Sequence, residues 1–356
     1  MENTVNANTG KINIYGLTLE ELSSQMVMLG QKPYRGKQLY SWLYKKDAHS
    51  FDEMSDVSKS FREVLKEKYT LDLPKLFVEQ KSADGTVKLL LELSDGQKIE
   101  TVLMRYVYGN ALCVTSQVGC NMGCRFCASG LLKKVRNLRP EEMVGQFIVM
   151  DRYLKEHEDK PLTHVVVMGT GEPFDNYDNV MKFIRIINCQ FGCEIGARHI
   201  TVSTCGIVPS ILKYGKEGLQ INLAVSLHAP TDEIRDKIMP VNQAYPLEKL
   251  IPAVIQYYKD SGREVTFEYI LINNLNDTDE CADELIKLVK PTHGFVNLIP
   301  YNEVMENEFR TPSGNRVHHF HDRLLKAGIK TTVRKQFGAD IDAACGQLRA
   351  RYAKKA

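Results

Sequence analysis

The feature that most constrains the fold is a regular alternation of β-rich and helical segments, which begins near residue 108. Helical patterns of ten to twenty residues, such as EEMVGQFIVMDRYLKE and DNVMKFIRIIN, separate most of the β-rich runs. Alternation of this kind predicts a parallel sheet with helical crossovers. Six units favour an incomplete (β/α)6 barrel over a complete barrel of eight. The β-rich runs are residues 111–118, 164–169, 199–204, 220–229, 264–272 and 295–302.

The segment before this alternation has two different patterns. Residues 17–70 read as short amphipathic helices, and Thr18 and Glu21 have the spacing of a helix capping box. Three β-rich runs then follow, separated by Asp-Gly turns at residues 84–85 and 95–96, which is typical of a β-meander. We therefore expect an α/β protein with four parts. These are a small helical N-terminal domain (1–74), a short β-meander linker (75–107), the (β/α)6 core (108–348) and a basic tail (349–356).

The composition is that of an ordinary globular protein, with 43% hydrophobic and 25% charged residues among 356. The first 16 residues lack the basic and apolar regions of a signal peptide. No apolar run approaches the roughly 20 residues that span a bilayer. Nine cysteines without an export signal predict reduced thiols and a cytoplasmic location.

The positive charge is concentrated in short segments, although the net charge is only +2. Residues 31–46 carry five bases, no acid and four interleaved aromatic residues, and residues 131–139 carry four more bases. Such patches fit contacts with an RNA backbone and stacked bases. Solvated helix faces whose aromatic residues pack inward explain the same pattern, so both interpretations remain open.

Polar and catalytically capable residues follow the predicted strands at the point where each strand ends. Because the carboxyl ends of parallel strands meet at one edge of a sheet or barrel, this distribution predicts a single site. The residues concerned are Cys120, Gly169, Gly171, Glu172, Ser203, Ser226, His228 and Asn302.

The most informative of these segments is CNMGCRFC, which places Cys120, Cys124 and Cys127 within eight residues. Buried structural thiols are a poor explanation for three cysteines on one short loop, and disulfides are disfavoured in a reducing compartment. A zinc site completed by Cys189 or Cys193 is an alternative. An iron–sulfur cluster is another, because three thiolates on a 4Fe–4S cluster leave one iron open for a substrate.

This C-x3-C-x2-C pattern after the first strand of a β/α barrel resembles the radical S-adenosylmethionine (SAM) superfamily. In that superfamily the amino acid part of SAM chelates the open iron. Gly171-Glu172-Pro173 resembles the segment whose backbone and carboxylate receive the SAM amino group. The resemblance implies two cofactors, a 4Fe–4S cluster and SAM, and makes the predicted core a radical SAM barrel.

A longer set of segments resembles one group within that superfamily, the dual-specificity adenine-C2 methyltransferases of 23S rRNA and tRNA. The resemblance spans roughly residues 15–348, and Phe174 is a conservative departure from the leucine common there. The segments are LCVTSQVGCNMGCRFCASG, VVVMGTGEPFDNYDNV, HITVSTCGIVPS, LAVSLHAP, VNLIPYN and RKQFGADIDAACGQL.

The resemblance implies a role for each matching residue. Cys120, Cys124 and Cys127 are expected to hold the cluster. Cys345 is expected to take a methyl group from a first SAM. A second SAM then supplies a 5′-deoxyadenosyl radical that activates this methyl group for addition to adenine C2. The SAM pocket is expected to include Gly171, Glu172, Ser203, Ser226, Leu227, His228 and Asn302.

Two further residues complete the implied reaction. Cys113 attacks the Cys345 sulfur, which forms a transient disulfide and releases the base. Glu100 corresponds to the base that removes the C2 proton, although an outward-facing strand carboxylate explains its position equally simply. The implied partners are 23S rRNA, tRNA and an electron donor such as flavodoxin or ferredoxin. A monomer with no membrane association is expected.

Two alternative functions remain open at this point. A related group methylates adenine at C8 and carries Ala and Arg where this chain has Pro173 and Pro300, so both prolines favour C2. A zinc-dependent RNA-binding regulator, which is not an enzyme, is the alternative from another class. Iron and sulfide analysis of anaerobically purified protein distinguishes the regulator from the enzyme.

Overall fold

The computed structural model describes residues 10–131, 133–303, 308–338, 340, 341 and 348, without the side chain of residue 131. Within these ranges, none of the helices combines the length and apolarity that crossing a membrane requires.

The N-terminal part is helical, as the amphipathic pattern predicts. The Thr18–Glu21 capping box is confirmed: the Thr18 side chain accepts from the Glu21 N–H, and the Glu21 carboxylate accepts from the Thr18 N–H. A short parallel pair of strands brackets the helices. The elements are β1 (Ile12–Asn13), α1 (Leu19–Met28), α2 (Tyr34–Tyr44), α3 (Lys59–Lys68) and β2 (Tyr69–Thr70).

The predicted β-meander is present as three antiparallel strands. Gly85 and Gly96 in its two turns have φ values of 85° and 80°, which favour glycine. The third strand also pairs antiparallel with the first strand of the core, so the meander extends the core sheet instead of linking two separate units. The strands are β3 (Lys75–Lys81), β4 (Val87–Glu92) and β5 (Lys98–Tyr106).

The core contains all six predicted strands in parallel, each followed by at least one helix. A seventh parallel strand, β14, was not predicted because three residues are too few to show a periodic pattern. The core strands are β6 (Gly109–Cys113), β9 (Leu162–Val167), β10 (Ile200–Thr204), β11 (Asn222–Ser226), β12 (Val265–Leu271), β13 (Phe295–Pro300) and β14 (Thr331–Val333).

The helices cover the outer face of this sheet. A two-stranded antiparallel pair, β7 (Gln117–Val118) with β8 (Arg136–Asn137), flanks the cysteine loop. The core helices are α4 (Pro140–Glu156), α5 (Tyr177–Asn188), α6 (Val208–Gly215), α7 (Asp232–Ile238), α8 (Leu247–Ser261), α9 (Asp279–Val289) and α10 (Gly314–Lys326).

Alternation along each strand separates the hydrophobic core from the site. In β11, Leu223 and Val225 are fully buried in the main core against the helices, whereas Ser226 points into a cleft on the other face. Each fully buried aliphatic side chain of this kind stabilises the fold by roughly 1.5–3 kcal/mol. The apolar outer face therefore holds the barrel together and leaves the inner face available for chemistry.

The chain after β14 crosses the open side of the incomplete barrel. The ten strands lie in the order β14-β13-β12-β11-β10-β9-β6-β5-β4-β3, so β14 and the meander are at opposite ends of the sheet. Phe337 packs against the Tyr106 ring, with centroids 4.8 Å apart. The Gly338 N–H donates to the Asp84 carboxylate at 2.9 Å. These contacts join the two ends of the sheet.

Candidate active site

A cleft with an empty volume of about 830 Å³, partly open to solvent, lies at the carboxyl ends of the core strands. Predicted residues that follow or end four core strands, β6, β9, β10 and β11, meet there, as the distribution of polar residues predicts. The predicted residues that line it are Cys120, Cys124, Cys127, Gly169, Gly171, Glu172, Ser203, Ser226 and His228.

The three loop cysteines lie side by side in this cleft. Burial raises the pKa of Cys120 to about 11, and it raises the pKa of Cys124 further. Charge on Cys127 adds to both shifts, which shows that the sulfurs are close to one another. The Arg125 N–H donates to the Ile238 carbonyl at 2.9 Å and anchors the loop to α7. Protonated thiols must lose their protons when they bind a metal centre.

The arrangement fits a cluster better than a single metal ion. Among the described residues, no group of three or more Cys, His, Asp or Glu side chains converges closely enough to hold one ion. A 4Fe–4S cluster requires less convergence, because each thiolate binds a different iron. Cys189 and Cys193 lie elsewhere, and both interact electrostatically with Tyr40 of α2. The zinc site that included one of them is therefore not supported.

Glu172 is held by main-chain groups at the edge of the cleft. Its two carboxylate oxygens accept from the N–H groups of Phe174 at 3.0 Å and Cys205 at 2.7 Å. Burial raises the pKa of this carboxyl group. Gly171 beside it has a φ of 109°, and a Cβ atom there would lie 2.6 Å from the Gln117 side chain. Only glycine allows this approach, which keeps the strand end open to a ligand.

His228 lies two residues after β11 and has a φ of 58°, an unusual conformation for a residue that is not glycine. Its Nδ1 accepts from the Ile270 N–H at 3.0 Å, and the Phe126 ring packs edge-on against it. Burial, with a smaller contribution from Arg235, lowers the pKa of His228 to about 3. The imidazole is therefore neutral at physiological pH and acts as a packed polar wall of the cleft.

Two predicted SAM-pocket residues differ from the rest. The Leu227 side chain is fully buried in the main hydrophobic core, and Leu227 is not part of the cleft lining. Asn302 follows β13 and is exposed, and its side chain is not part of the cleft lining. The sequence placed both residues at strand ends correctly but did not indicate which way their side chains point.

Arg235 supports the cleft from behind and was not identified from the sequence. It is fully buried, and its guanidinium donates to the carbonyls of Cys205 at 2.7 Å and Leu227 at 3.2 Å, and to Asn242 at 2.7 Å. Burial lowers its pKa. Arg235 thus ties the ends of β10 and β11 together. Its position in a charged helical segment provides no sequence signal for this role.

Two of the predicted catalytic residues, Cys113 and Glu100, lie on the inner face of the sheet, beside the cleft. Cys113 on β6 is buried and packs with Val102, Met104 and Val166. Glu100 on β5 is also buried, only 4% exposed, and pairs with Lys88 on β4. The alternative of an outward-facing carboxylate is therefore wrong. Cys345 lies outside the described residues.

The cleft also contains two charged residues that sequence reasoning missed. Glu268 and Arg334 line it, and Asn297 Nδ2 donates to the Glu268 carboxylate at 2.9 Å. Burial raises the pKa of Glu268, whereas Arg334 lowers it. Glu268 lies in the middle of a mostly apolar strand. A carboxylate within such a strand was the sequence signal that could have identified it as a site residue.

The two basic segments, residues 31–46 and 131–139, differ in how far their side chains are exposed or paired with carboxylates. On α2 the Tyr40 side chain is buried, whereas Tyr34 is 53% exposed beside the Arg35 guanidinium, so the aromatic residues there point both ways. In residues 133–139, three of the four bases form ion pairs with carboxylates. The α2 surface is therefore the better candidate for a contact with RNA phosphates.

The barrel and the cysteine loop define the class of protein. Residues 114–289 match the family model described as the radical SAM superfamily. Residues 12–71 match the model described as the ribosomal RNA large subunit methyltransferase N-terminal domain. Both matches agree with the parts of the chain that carry the cleft and the N-terminal helices.

Full-length relatives narrow the class to one family. A probable dual-specificity RNA methyltransferase RlmN from Spiroplasma citri is 52% identical over 339 residues, 95% of this chain and 97% of that protein. The protein of the same name from Streptococcus equi subsp. equi is 52% identical over 350 residues, 97% of each chain. The crystal structure of a radical SAM methyltransferase from Sphaerobacter thermophilus superposes with a TM-score of 0.89, at 43% identity and covering 94% and 98% of the two chains.

This chain belongs to the RlmN family of dual-specificity RNA methyltransferases. It is a radical SAM RNA methyltransferase, as predicted from the sequence, and its superfamily implies a 4Fe–4S cluster and SAM as cofactors. RNA is its substrate class. The fold prediction of a radical SAM barrel with a helical N-terminal domain is confirmed.

Proposed function

We propose that this enzyme methylates C2 of adenosine in 23S rRNA and in tRNA through an S-methylcysteine. The observation that carries the proposal is the convergence of three thiols, Glu172 and three strand-end polar residues in one cleft, with Cys113 on the same sheet face. An electron-poor ring carbon such as adenine C2 cannot attack a sulfonium methyl group directly, so a radical route is required.

Cys120, Cys124 and Cys127 are the proposed cluster ligands. Gly171, Glu172, Ser203, Ser226 and His228 form the proposed SAM pocket, with the backbone of Leu227 and with Asn302. When bound, the cluster and SAM supply a 5′-deoxyadenosyl radical that takes a hydrogen atom from a methyl group. The protein residues bind the cofactors, exclude water and carry the methyl group.

Two thiols and one carboxylate carry the group transfer. The Cys345 sulfur accepts the methyl group of a first SAM by nucleophilic displacement. After losing a hydrogen atom, its carbon adds to adenine C2. Glu100 takes the C2 proton, and the unpaired electron of the adduct passes to a one-electron acceptor of iron–sulfur or flavin type. The Cys113 thiolate then attacks the Cys345 sulfur, the bond from that sulfur to the methylene carbon breaks, and this carbon takes up a proton. The resulting disulfide releases the methylated base, and two SAM molecules are used in each turnover.

The target base must leave its RNA stack to reach the cleft. We propose that residues 1–74 form an RNA-binding domain, with exposed Lys32 and Lys37, beside and on α2, on phosphates and exposed Tyr34 available for stacking. Residues 75–107, 108–348 and 349–356 are the proposed meander, radical SAM core and basic tail. A cytoplasmic monomer that receives electrons from flavodoxin or ferredoxin completes the proposal.

Nucleoside mass spectrometry of rRNA and tRNA, with and without the gene, tests the position of methylation. Loss of 2-methyladenosine from both RNAs is the expected result. Loss of 8-methyladenosine instead would assign the chain to the C8 group. In a second test, Cys345→Ala is expected to bind the cluster but to transfer no methyl group, and methylation by this variant would remove Cys345 from the mechanism.

A further inference from the structure

A buried ion pair lies on the inner face of the meander. Lys88 Nζ lies 2.8 Å from Glu100 Oε2, and the two side chains are 0% and 4% exposed. Lysine is almost never fully buried unless it is paired. Leu90 pairs with Glu100 and Lys88 pairs with Val102 in the β4–β5 register, so the two charges are diagonal neighbours on one face.

The face that carries this pair is the face that carries Cys113. Glu100, Val102 and Met104 point the same way because they alternate along β5. Cys113 on β6 lies directly opposite Val102. Thr115 Oγ1 donates to the Glu100 carbonyl at 2.6 Å, which fixes the backbone of the carboxylate-bearing residue. The sheet therefore places Glu100 next to the thiol that acts in the last proposed step.

Stability alone does not account for this pair. Two apolar side chains of the same volume usually stabilise a fold as well as a buried ion pair, because both charges lose their hydration. The other titratable groups on this face of β4, β5 and β6 are Glu92, Lys98, Tyr106 and Cys113, and Tyr106 interacts electrostatically with Cys113, Glu268 and Arg334. Among these groups, Lys88 is the cation in direct contact with Glu100.

We propose that Lys88 is a positioning residue for Glu100. Its ammonium group, on β4, holds the carboxylate in one orientation on the face of the sheet that also carries Cys113. Lys88 itself does not touch RNA. The inference rests on the proposed function, in which the C2–H bond breaks, the proton goes to Glu100, the electron pair stays in the ring and the unpaired electron of the adduct goes to the one-electron acceptor.

The test uses the full-length enzyme with its cluster and an RNA fragment that carries deuterium at C2 of the target adenosine. Lys88→Met is expected to lower the rate of C2 methylation by about 10²-fold, the range typical of general-base catalysis. It should also raise the deuterium isotope effect on methylation, because proton removal becomes slower than the other steps. Methylation of Cys345 by the first SAM, followed by protein mass spectrometry, should be unchanged.

Three further variants make the result specific. Lys88→Arg retains the charge and should recover part of the rate. Lys98→Met removes a lysine from the same strand pair, where Lys98 contacts Glu92 at 3.5 Å at a partly exposed position, and should have no effect. In a Glu100→Gln background, Lys88→Met should cause no further loss of rate, because Lys88 acts only through Glu100.

Two outcomes would overturn the inference. One is a folded Lys88→Met enzyme with the wild-type rate and isotope effect. The other is a lower rate with an unchanged isotope effect in both Lys88→Met and Lys88→Arg, which would make Lys88 a structural residue. Failure of the wild-type enzyme to form 2-methyladenosine is a separate result that would refute the proposed function itself.

Discussion

The Asp84 carboxylate accepts a hydrogen bond from the Gly338 N–H at 2.9 Å, although 254 residues separate the two. Asp340 makes further contacts to the same turn. Its carboxylate accepts from the Ala83 N–H at 3.0 Å and from the Ser82 hydroxyl. The turn between β3 and β4 thus anchors the chain a few residues before Cys345. Hydrogen bonds from Gly338 and Thr86 outweigh burial and hold the pKa of Asp84 well below its usual range.

Removing this anchor should loosen the segment that leads to Cys345. A hydrogen bond to a charged acceptor contributes about 1.5–3 kcal/mol, so Asp84→Ala should speed amide exchange at Gly338 by at least about tenfold. RNA methylation should slow as well. Asp95→Ala is the matched control, because Asp95 occupies the other Asp-Gly turn and pairs with Arg136. Equal effects of both variants on Gly338 exchange would contradict the anchoring role.

The iron and sulfide content of cysteine variants should distinguish the three loop cysteines from the other thiols. Cys120→Ala, Cys124→Ala and Cys127→Ala should each lose bound iron and sulfide after anaerobic reconstitution, because each thiolate holds one iron. Cys281→Ala serves as the control, since Cys281 is buried within α9 in the hydrophobic core. Full iron content in any of the three loop variants would remove that cysteine from the set of ligands.

Cys113→Ala should trap the enzyme on its RNA. Without the resolving thiol, the bond between the Cys345 methylene group and the base has no partner to break it. A covalent protein–RNA species should therefore accumulate on denaturing gels and disappear again in the Cys113→Ala/Cys345→Ala double variant. A Cys113→Ala enzyme that turns over repeatedly would show that another group releases the product.

His228 should make the cluster-free protein less stable in acid. Burial lowers its folded pKa to about 3, against an unfolded value near 6.5. The unfolded chain therefore binds a proton more readily between these values, and stability is lost as the pH falls below about 6.5. The free energy of unfolding should therefore fall by about 2 kcal/mol when the pH is lowered from 7 to 5.

The measurement is denaturant unfolding of the apoprotein at both pH values. His228→Asn keeps a side-chain acceptor for the Ile270 N–H and should remove most of this pH dependence. His318→Gln, at an exposed position on α10, should leave it intact. The same pH dependence in the wild type and His228→Asn would assign the effect to other groups.

Arg235→Met should destabilise the whole core. The substitution leaves the buried carbonyls of Cys205 and Leu227 without the guanidinium that they share, at a cost of about 3 kcal/mol or more. SAM binding should weaken with it, because these carbonyls end two strands that form the cleft. Arg198→Met, at an exposed position, should change neither the unfolding free energy nor SAM binding. A stable Arg235→Met protein would show that the strand ends do not depend on this arginine.

Features that depend on short stretches of chain were predictable. The six long strands, the capping box at Thr18 and the two Asp-Gly turns each arise from local periodicity or turn chemistry, and all are present. The three loop thiols were recognised because their spacing itself limits what they can bind. Strand β14 escaped notice because three residues are too few to show a period.

What the sequence determined by itself was the kind of barrel and the set of groups at its open edge, because both depend on residue type and on spacing along the chain. The tertiary structure alone decided which distant charges meet. Lys88 faces Glu100, and Arg235 joins β10 to β11, through strand pairing and packing between residues far apart in the chain. Local sequence patterns contain no information on such contacts. The contacts form only when the hydrophobic face of the sheet is buried and the register of its strands is established.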